Sequence, residues 1–470
     1  MLNKHYNKLL ITIVSLITVF PVYAQEISFS DSWQLLQKKN NSIAAQRANV
    51  MRYQQLQKGQ DALNYPTVTL GANYTRLDDD VTLSGEQIFD SLDSSSQAYL
   101  STSELATLLS STTSTITEKD MFNSSINATW AIYTGGRISA AQSYAAGQTD
   151  QAIAQLKMET QARYEALAKY YFSAVLAKEV LITRQSVEQG LTQHRDFAIK
   201  LEQQGQIAKI ERLQAEASLA KAIVERKKSQ RDLDISISAL TEILNQKDKV
   251  RPQSTLFINR TLPPLYAFTE RTLNTYPGLD ILNAKQKQAE SAIKAEKGKY
   301  KPEIYLYGDY VVYEDDSLAS ELAPDWVAGI GISVPLVDNS GRSQKVQAAH
   351  SAVLQVHYLR QQAQQDLKVL VEKTYFGAQQ AVEEVQGLDS SLALAEENLK
   401  LRKKSFNQGL STSLDVIDSE LNLASIKTQQ QVACFNYIMA LNKLLVLSSQ
   451  IPTFTQYEAN SIQFSNAEDK

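Results

Sequence analysis

The sequence predicts a mixed α and β fold made from one unit that occurs twice, each copy joining two long strands to a very long helix. Three observations lead to this prediction. Landmarks of residues 137–230 recur in the same order in 342–434, so that Tyr171-Phe172 aligns with Tyr375-Phe376. Four segments alternate between apolar and small or polar residues, and two very long segments contain no proline.

The N-terminal residues 1–24 have the features of a secretory signal peptide. Lys4 and Lys8 flank the entry to an apolar run from Leu9 to Phe20, and Ala24 is the small residue at the expected cleavage point. The apolar run is too short to span a bilayer as a helix. The predicted regions are the signal peptide at 1–24, a first repeat at 25–245, a connector at 246–265, a second repeat at 266–448 and a tail at 449–470.

Each repeat is predicted to open with a helix that a proline ends. In the first repeat this helix covers 28–62 and stops before Tyr65-Pro66, and its counterpart runs from about Ala267 to Lys299 and stops before Lys301-Pro302.

Four strands of about ten residues follow from alternation with a period of two. They are predicted at 67–75, 126–133, 302–313 and 325–334. The pattern is typical of membrane-spanning strands in a barrel, and also of a half-buried hairpin in a soluble protein. Because the smallest barrels have about eight strands, a barrel would require more than one chain. Between the first two strands lies an insertion near 79–120, and its Ser- and Thr-rich segment 91–117 is predicted to be an exposed loop.

Two long helices are predicted from Arg137 to Gln204 and from Arg342 to Gln408. At 1.5 Å per residue each would be roughly 100 Å long. Apolar residues in the second long helix and in both shorter helices recur with a period of 3.5, which predicts side-by-side helix packing. Gly205 and Gly409 are placed to end each long helix and open a shorter antiparallel one, forming two helical hairpin tips.

Composition and residue spacing argue against several functional classes. The formal net charge of −4 and the absence of a basic stripe disfavour nucleic-acid binding. Cys434 is the single cysteine, so no disulfide is expected, and it lies too far from the cleavage point for N-terminal lipidation. His350 and His357 lack carboxylate or cysteine neighbours at ligand spacing, and no phosphate-binding glycine loop is present. We therefore predict that the protein is not an enzyme and that it has no metal site and no cofactor.

Several short motifs occupy corresponding places in the two repeats. A strand meets a long helix at Thr134-Gly135-Gly136-Arg137 and at Asn339-Ser340-Gly341-Arg342. Tyr276-Pro277 stands early in the second repeat, and a tip segment runs from Gln408 through Gly409 to Asp418. In this order the sequence resembles the TolC-like outer membrane efflux protein (outer membrane factor) family over about residues 26–450. The resemblance implies a homotrimer with a twelve-stranded transmembrane β-barrel, four strands per chain, continued by a long periplasmic α-helical barrel.

The same resemblance implies a function and partners. The chain would be a passive exit duct in the outer membrane of a Gram-negative bacterium, serving an efflux or type I secretion system. A periplasmic adaptor (membrane fusion) protein and an inner-membrane pump would open its helical tip. From the residues alone, two alternatives stay open: a secreted periplasmic coiled-coil adaptor without a pore, and a secreted hydrolase that uses paired carboxylates.

The resemblance also assigns roles to individual residues. Asp415 and Asp418, three apart on one helix face, would ring the periplasmic entrance, and Glu211 is the first-repeat equivalent of Asp415. Repulsion among three copies is predicted to raise the pKa of these aspartates. The alternative is that they form the solvated polar face of an ordinary helix. The family often has an Arg where this chain has Ser411, so Lys209 or Arg212 is expected to substitute. Trp130 and Trp326 fit a membrane-interface belt or an ordinary core.

Overall fold

The computed structural model describes residues 25–100, 107, 111–337 and 339–464. The predicted signal peptide and the last residues of the tail lie outside this part of the chain. Among the helices in the described part, none has both the length and the apolar content needed to cross a bilayer.

The two repeats contain the same six elements in the same order. In the first repeat these elements are α1 (Phe29–Lys39), α2 (Asn41–Asp61), β2 (Thr67–Arg76), β5 (Asp120–Tyr133), α5 (Arg137–Gln203) and α6 (Lys209–Ile243). In the second repeat they are α7 (Leu265–Thr275), α8 (Pro277–Gly298), β8 (Glu303–Glu314), β9 (Trp326–Ser333), α10 (Arg342–Asn407) and α11 (Ser413–Leu447). The long helices have 67 and 66 residues, and the shorter helices that follow have 35 each. The predicted duplication and the unbroken long helices are therefore confirmed.

The helix that opens each repeat is divided in two, so the prediction of one continuous helix in each place was wrong. In the first repeat Asn40 is extended, and its side-chain Oδ1 accepts hydrogen bonds from the backbone N–H groups of Ser42 and Ile43 at 3.0 and 3.1 Å. This arrangement ends α1 and caps α2. In the second repeat Pro277 forces the preceding Tyr276 out of the helical region, and α8 begins at the proline.

The four predicted strands form one antiparallel sheet in the order β2-β5-β8-β9. Val68 pairs with Ala128, Ala128 with Gly308, and Gly308 with Ala328, so one register crosses both repeats. Strands β2 and β9 are the edges. One face of the sheet carries large apolar side chains that are exposed in the single chain, with Leu70 at 70%, Trp326 at 65% and Ile332 at 67%.

The insertion between β2 and β5 contains regular structure. Strand β3 (Val81–Ser84) pairs with β4 (Thr113–Thr117), and α3 (Gly85–Asp90) and α4 (Ser94–Leu100) follow β3. The prediction of a loop over 91–117 was wrong where the chain is described, because Ser and Thr can cap helices and the β-branched Thr favours strands. Ser84 and Gln87 form a reciprocal capping box at the start of α3. Residues 101–106 and 108–110 lie outside the described residues. The second inter-strand loop contains α9 (Leu318–Leu322).

The chain divides into two compact units. One comprises the residues up to Ala45, Met158–Tyr276 and those from Gln365 onward, and the other comprises Gln46–Lys157 and Pro277–Gln364. The four-stranded sheet belongs to the second unit. Both units draw on both repeats, and the predicted repeat boundaries stay a prediction.

The first unit has an aromatic core around Phe29. Its ring lies within 5.5 Å, centroid to centroid, of the rings of Tyr164, Tyr171, Phe172 and Phe454. The Tyr171 hydroxyl donates a hydrogen bond to the carbonyl oxygen of Ile27 at 2.8 Å and accepts hydrogen bonds from the backbone N–H groups of Gln253 and Ser254. Around this core lie the short strands β1 (Gln25–Ile27), β6 (Val250–Pro252), β7 (Leu256–Ile258) and β10 (Ile462–Phe464), together with α12 (Phe454–Ala459).

Candidate functional site at the helical hairpin tips

The two tip turns share one backbone geometry. Gly205 and Gly409 have φ angles of +70° and +73°, in the left-handed region that glycine adopts most readily. The N–H that follows each glycine bonds to a carbonyl five residues earlier, from Gln206 to Leu201 and from Leu410 to Ser405, at 2.9 Å in both cases. This bond satisfies a carbonyl at the end of the long helix and reverses the chain. Partner contact at these tips stays a prediction.

The two hairpins of one chain pack against each other near these turns. A buried cluster joins all four helices through Ala198 and Leu201 of α5, Ala215 of α6, Phe406 of α10 and Val416 of α11. These side chains are at most 5% exposed. The tip of each hairpin is therefore supported by the other through apolar contact as well as through the polar contacts described next.

Asp415 stabilises the start of α11. Its Oδ2 accepts hydrogen bonds from the Thr412 backbone N–H at 2.9 Å, the Thr412 hydroxyl at 2.7 Å and the Ser411 hydroxyl at 3.0 Å. Arg402 of α10 lies 3.4 Å from Oδ1. The Thr412 N–H, the two hydroxyls and the Arg402 guanidinium lower the pKa of the Asp415 carboxyl below its ordinary value. In the single chain, donors surround the carboxylate and hold its pKa down. The rise expected from repulsion among three copies stays a prediction.

Glu211, the first-repeat equivalent of Asp415, caps the other hairpin. Its Oε2 accepts a hydrogen bond from the backbone N–H of Ser413 at 2.5 Å. Ser413 is the first residue of α11, whose initial N–H groups have no partner within the helix. By contrast, α6 begins after Ala208 without a side-chain cap. Both equivalent carboxylates therefore support the same helix start.

His194 of α5 is a tip residue that the sequence did not single out. Its Nε2 lies 2.6 Å from the Ser413 hydroxyl, and its ring centroid lies 4.5 Å from that of Phe406. The side chain is 6% exposed, and burial, with a smaller contribution from the positive charge of Lys403, lowers the pKa of His194 to about 4. The imidazole is neutral at neutral pH. Its bonding partner lies far away in sequence, so no local pattern marks it.

Three basic residues near the tips, Arg212, Arg402 and Lys403, are paired with carboxylates. Arg212, proposed as a substitute for the missing family Arg, bonds Glu202 at 2.5 Å and Glu216 at 2.6 Å within its own hairpin. Lys209 is exposed at the start of α6. Near the tip, two of these residues join α10 to α11: Arg402 pairs with Asp415, and Lys403 lies 2.7 Å from the nearly buried Glu420. Asp418 is exposed on α11.

At the two strand-to-helix junctions, arginines join the helix start to neighbouring segments. Arg137 pairs with Glu303 at 2.6 Å and donates to the carbonyl of Thr134 at 3.1 Å. Arg342 donates to the carbonyls of Lys299 and Pro335 at 3.2 and 3.0 Å, and it lies over the Tyr300 ring at 4.7 Å. The glycines before these arginines, Gly136 and Gly341, have φ angles of +88° and +64°.

The two tryptophans lie on the apolar face of the sheet. Trp130 is 41% exposed and donates its Nε1–H to the carbonyl of Asn64 at 2.9 Å, while Trp326 is 65% exposed. Neither is a core residue in the single chain, and their position at a membrane interface stays a prediction. In the described part of the chain, no cluster of His, Cys, Asp and Glu side chains is arranged to hold a metal ion.

Long strands in one sheet with an exposed apolar face, followed along the chain in each repeat by a long and a shorter helix, are typical of an outer membrane channel with an α-helical extension. The sequence model of the outer membrane efflux protein family matches residues 33–246 and 270–447. The chain belongs to this family.

Solved structures show the same fold. CusC has a TM-score of 0.73 at 14% identity, covering 90% of this chain and 93% of that chain. VceC from Vibrio cholerae has a TM-score of 0.70 at 14% identity, covering 89% and 96%. The open state of the MtrE outer membrane channel from Neisseria gonorrhoeae has a TM-score of 0.69 at 17% identity, covering 92% and 94%. No curated protein sequence matches the chain significantly.

Proposed function

We propose that three copies of this chain form a passive outer membrane channel, the exit duct of an efflux or type I secretion system in a Gram-negative bacterium. The observation that carries the proposal is the four-stranded sheet, which has an exposed apolar face and two edge strands. The chain would reach the membrane after loss of residues 1–24 and without an N-terminal lipid.

Closing the sheet requires several chains. Four strands are too few for a barrel, since about eight form the smallest ones. Pairing β9 of one chain with β2 of the next would remove both edges, and three chains would supply the twelve strands that the family resemblance implies. The exposed side chains of Leu70, Trp326 and Ile332 would then face lipid.

The helical hairpins would form the regulated entrance. Three copies of Asp415, Asp418 and Glu211 would surround the periplasmic opening, with the tip turns at Gly205 and Gly409 beside them. A periplasmic adaptor protein would contact the tips and, with an inner-membrane pump, shift the channel to its open state. Energy comes from the pump, so this chain needs no cofactor and catalyses no reaction. A pore-free periplasmic adaptor would leave the apolar sheet face in water, which disfavours that alternative.

The proposal is tested by measuring membrane insertion and ion conductance of the protein. We expect the protein to need detergent for extraction, to migrate as a trimer and to conduct ions in planar bilayers. Leu70→Lys places a charge on the apolar face and should prevent insertion, because a charge facing lipid costs about 2–4 kcal/mol at mid-membrane. Thr69→Lys, on the opposite face of the same strand, is the matched control and should insert. Extraction in buffer alone, or equal behaviour of the two variants, would contradict the proposal.

A further inference from the structure

The face of the sheet opposite the apolar one carries a pair of tyrosines. Tyr305 and Tyr307 of β8 pair in register with Gly331 and Gly329 of β9. A Cβ atom built on Gly329 would lie 2.6 Å from the Tyr307 ring, so the hydroxyl end of this ring lies above the glycine, and the same end of Tyr305 lies above Gly331. The two ring centroids are 6.1 Å apart, with 48° between the planes.

Glycine makes this arrangement possible, since any larger residue would push the ring away from the neighbouring strand. Because the two ring planes differ by 48°, the rings do not both lie flat, and at least one is tilted away from the sheet. Tyr307 is 43% exposed in this position. The pair therefore forms an aromatic platform on an otherwise small and polar face.

A carboxylate follows the platform on the same strand face. Asp309 is two residues beyond Tyr307, about 7 Å along the strand, and its register partners are Asn127 and Val327. Within the described residues Asp309 forms no ion pair and no side-chain hydrogen bond. Glu303 is the other acidic residue on this face of β8, and it is already paired with Arg137. The free charge beside the two tyrosines is thus negative.

We propose that Tyr305, Tyr307 and Asp309 form a weak binding site for aromatic organic cations on the inner face of the barrel. The proposal rests on the proposed function, which turns this face towards the lumen. A cation over an exposed aromatic ring gains about 0.5–1 kcal/mol, and the nearby carboxylate adds attraction of the same sign. Three chains would place six rings and three carboxylates around the pore. Weak repeated contact suits a conduit, because a tightly held substrate would not leave.

The competing explanation is structural: the rings shield the backbone of the two glycines and do nothing more. That explanation predicts changes in sheet stability when the tyrosines are altered, but no effect on a cation in the pore. The neutral Asp309→Asn substitution separates the two explanations, because it preserves shape and leaves both rings in place.

The experiment is block of the single-channel current by tetraphenylphosphonium, an aromatic cation, in planar bilayers. We expect block in the unaltered channel. Tyr307→Leu should raise the half-blocking concentration about two- to fivefold, the ratio that corresponds to the cation–π range. Asp309→Asn should also raise it, because it removes the attraction of the carboxylate. Tyr307→Phe keeps the π-face and should retain block. Tyr310→Leu, on the opposite face of β8, is the control and should leave block unchanged.

Outcomes for this site and for the channel itself are distinguishable. Absence of block in a conducting unaltered channel, or equal block in the unaltered and Asp309→Asn channels, would overturn the cation site while leaving the channel function intact. Absence of any conductance would contradict the proposed function. If Tyr307→Leu prevents trimer assembly, Asp309→Asn still decides the question.

Discussion

The carboxylate of Glu211 accepts a hydrogen bond from the backbone N–H of Ser413, with 2.5 Å between Oε2 and N. Glu211 lies in the first turn of α6, and Ser413 is the first residue of α11. The hydroxyl of the same serine meets His194 of α5 at 2.6 Å. One serine therefore links both helices of the first hairpin to the start of the second.

Loss of the Glu211 contact should favour the open state of the tip. Glu211→Ala removes a hydrogen bond to a charged acceptor, which contributes about 1.5–3 kcal/mol, so we expect roughly a tenfold or greater rise in the ratio of open to closed channels. Glu211→Gln keeps an acceptor oxygen and should show a smaller rise. Open probability in planar bilayers measures both, and equal values for Glu211→Ala and the unaltered protein would contradict the linkage.

Acid should loosen the contact between the hairpins through His194. The pKa of His194 is about 4 in the folded chain, below the ordinary value of 6.5. The folded state therefore binds fewer protons, and stability falls as the pH drops from about 6.5 towards 4. Over this whole range the free energy of unfolding falls by about 3 kcal/mol. Asp415 does not contribute between pH 7 and 5, because its lowered pKa keeps it ionised there.

The measurement is open probability and thermal unfolding of the solubilised protein at pH 7.5 and pH 5. We expect more opening and a lower unfolding temperature at pH 5. His194→Gln should reduce this dependence, whereas His350→Gln, an exposed histidine of α10, should keep it. A pH dependence unaffected by His194→Gln would assign the effect to another group.

The two tip aspartates should differ when replaced singly. Asp415→Ala removes the carboxylate half of the capping box at the start of α11 and the pairing with Arg402, so conductance should rise and stability should fall by about 0.5–2 kcal/mol. Asp418→Ala removes an exposed charge, so block by divalent cations should weaken with little change in stability. The double variant should show both effects in single-channel recordings. Unchanged conductance and unchanged block would remove these residues from the entrance.

Two adjacent glycines at the first junction should respond differently to alanine. Gly135 has a φ of +67°, and a Cβ atom there would collide with the carbonyl oxygen of Gly298. Gly136 has a φ of +88° with open space around it. We expect Gly136→Ala to cost about 1–2 kcal/mol, from backbone conformation alone, and Gly135→Ala to cost roughly 2–5 kcal/mol because overpacking adds to it. Thermal unfolding in detergent compares the two, and equal losses would contradict this account.

The sequence indicated some local features of the fold only in part. Tyr276-Pro277 stands at the break between α7 and α8, yet the apolar spacing continues across it and suggested one helix. Asn40 breaks the equivalent helix because its side chain accepts hydrogen bonds from the backbone N–H groups of Ser42 and Ile43. Such a side-chain bond competes with helical hydrogen bonding, and the spacing of apolar residues gives no sign of it. In the insertion, a high content of Ser and Thr suggested a loop, although β3 and β4 pair there.

Repetition, alternation and proline-free length were enough to predict the duplicated unit, its four strands and its long helices. These properties follow from backbone hydrogen bonding and side-chain periodicity, which act over neighbouring residues in the chain. The partners of Glu211, Asp415 and His194 emerged from the folded chain alone. Each of them meets a group supplied by a different helix or hairpin, and helix packing sets such distances. The tyrosines over Gly329 and Gly331 likewise depend on strand register, which pairs residues that no linear pattern connects.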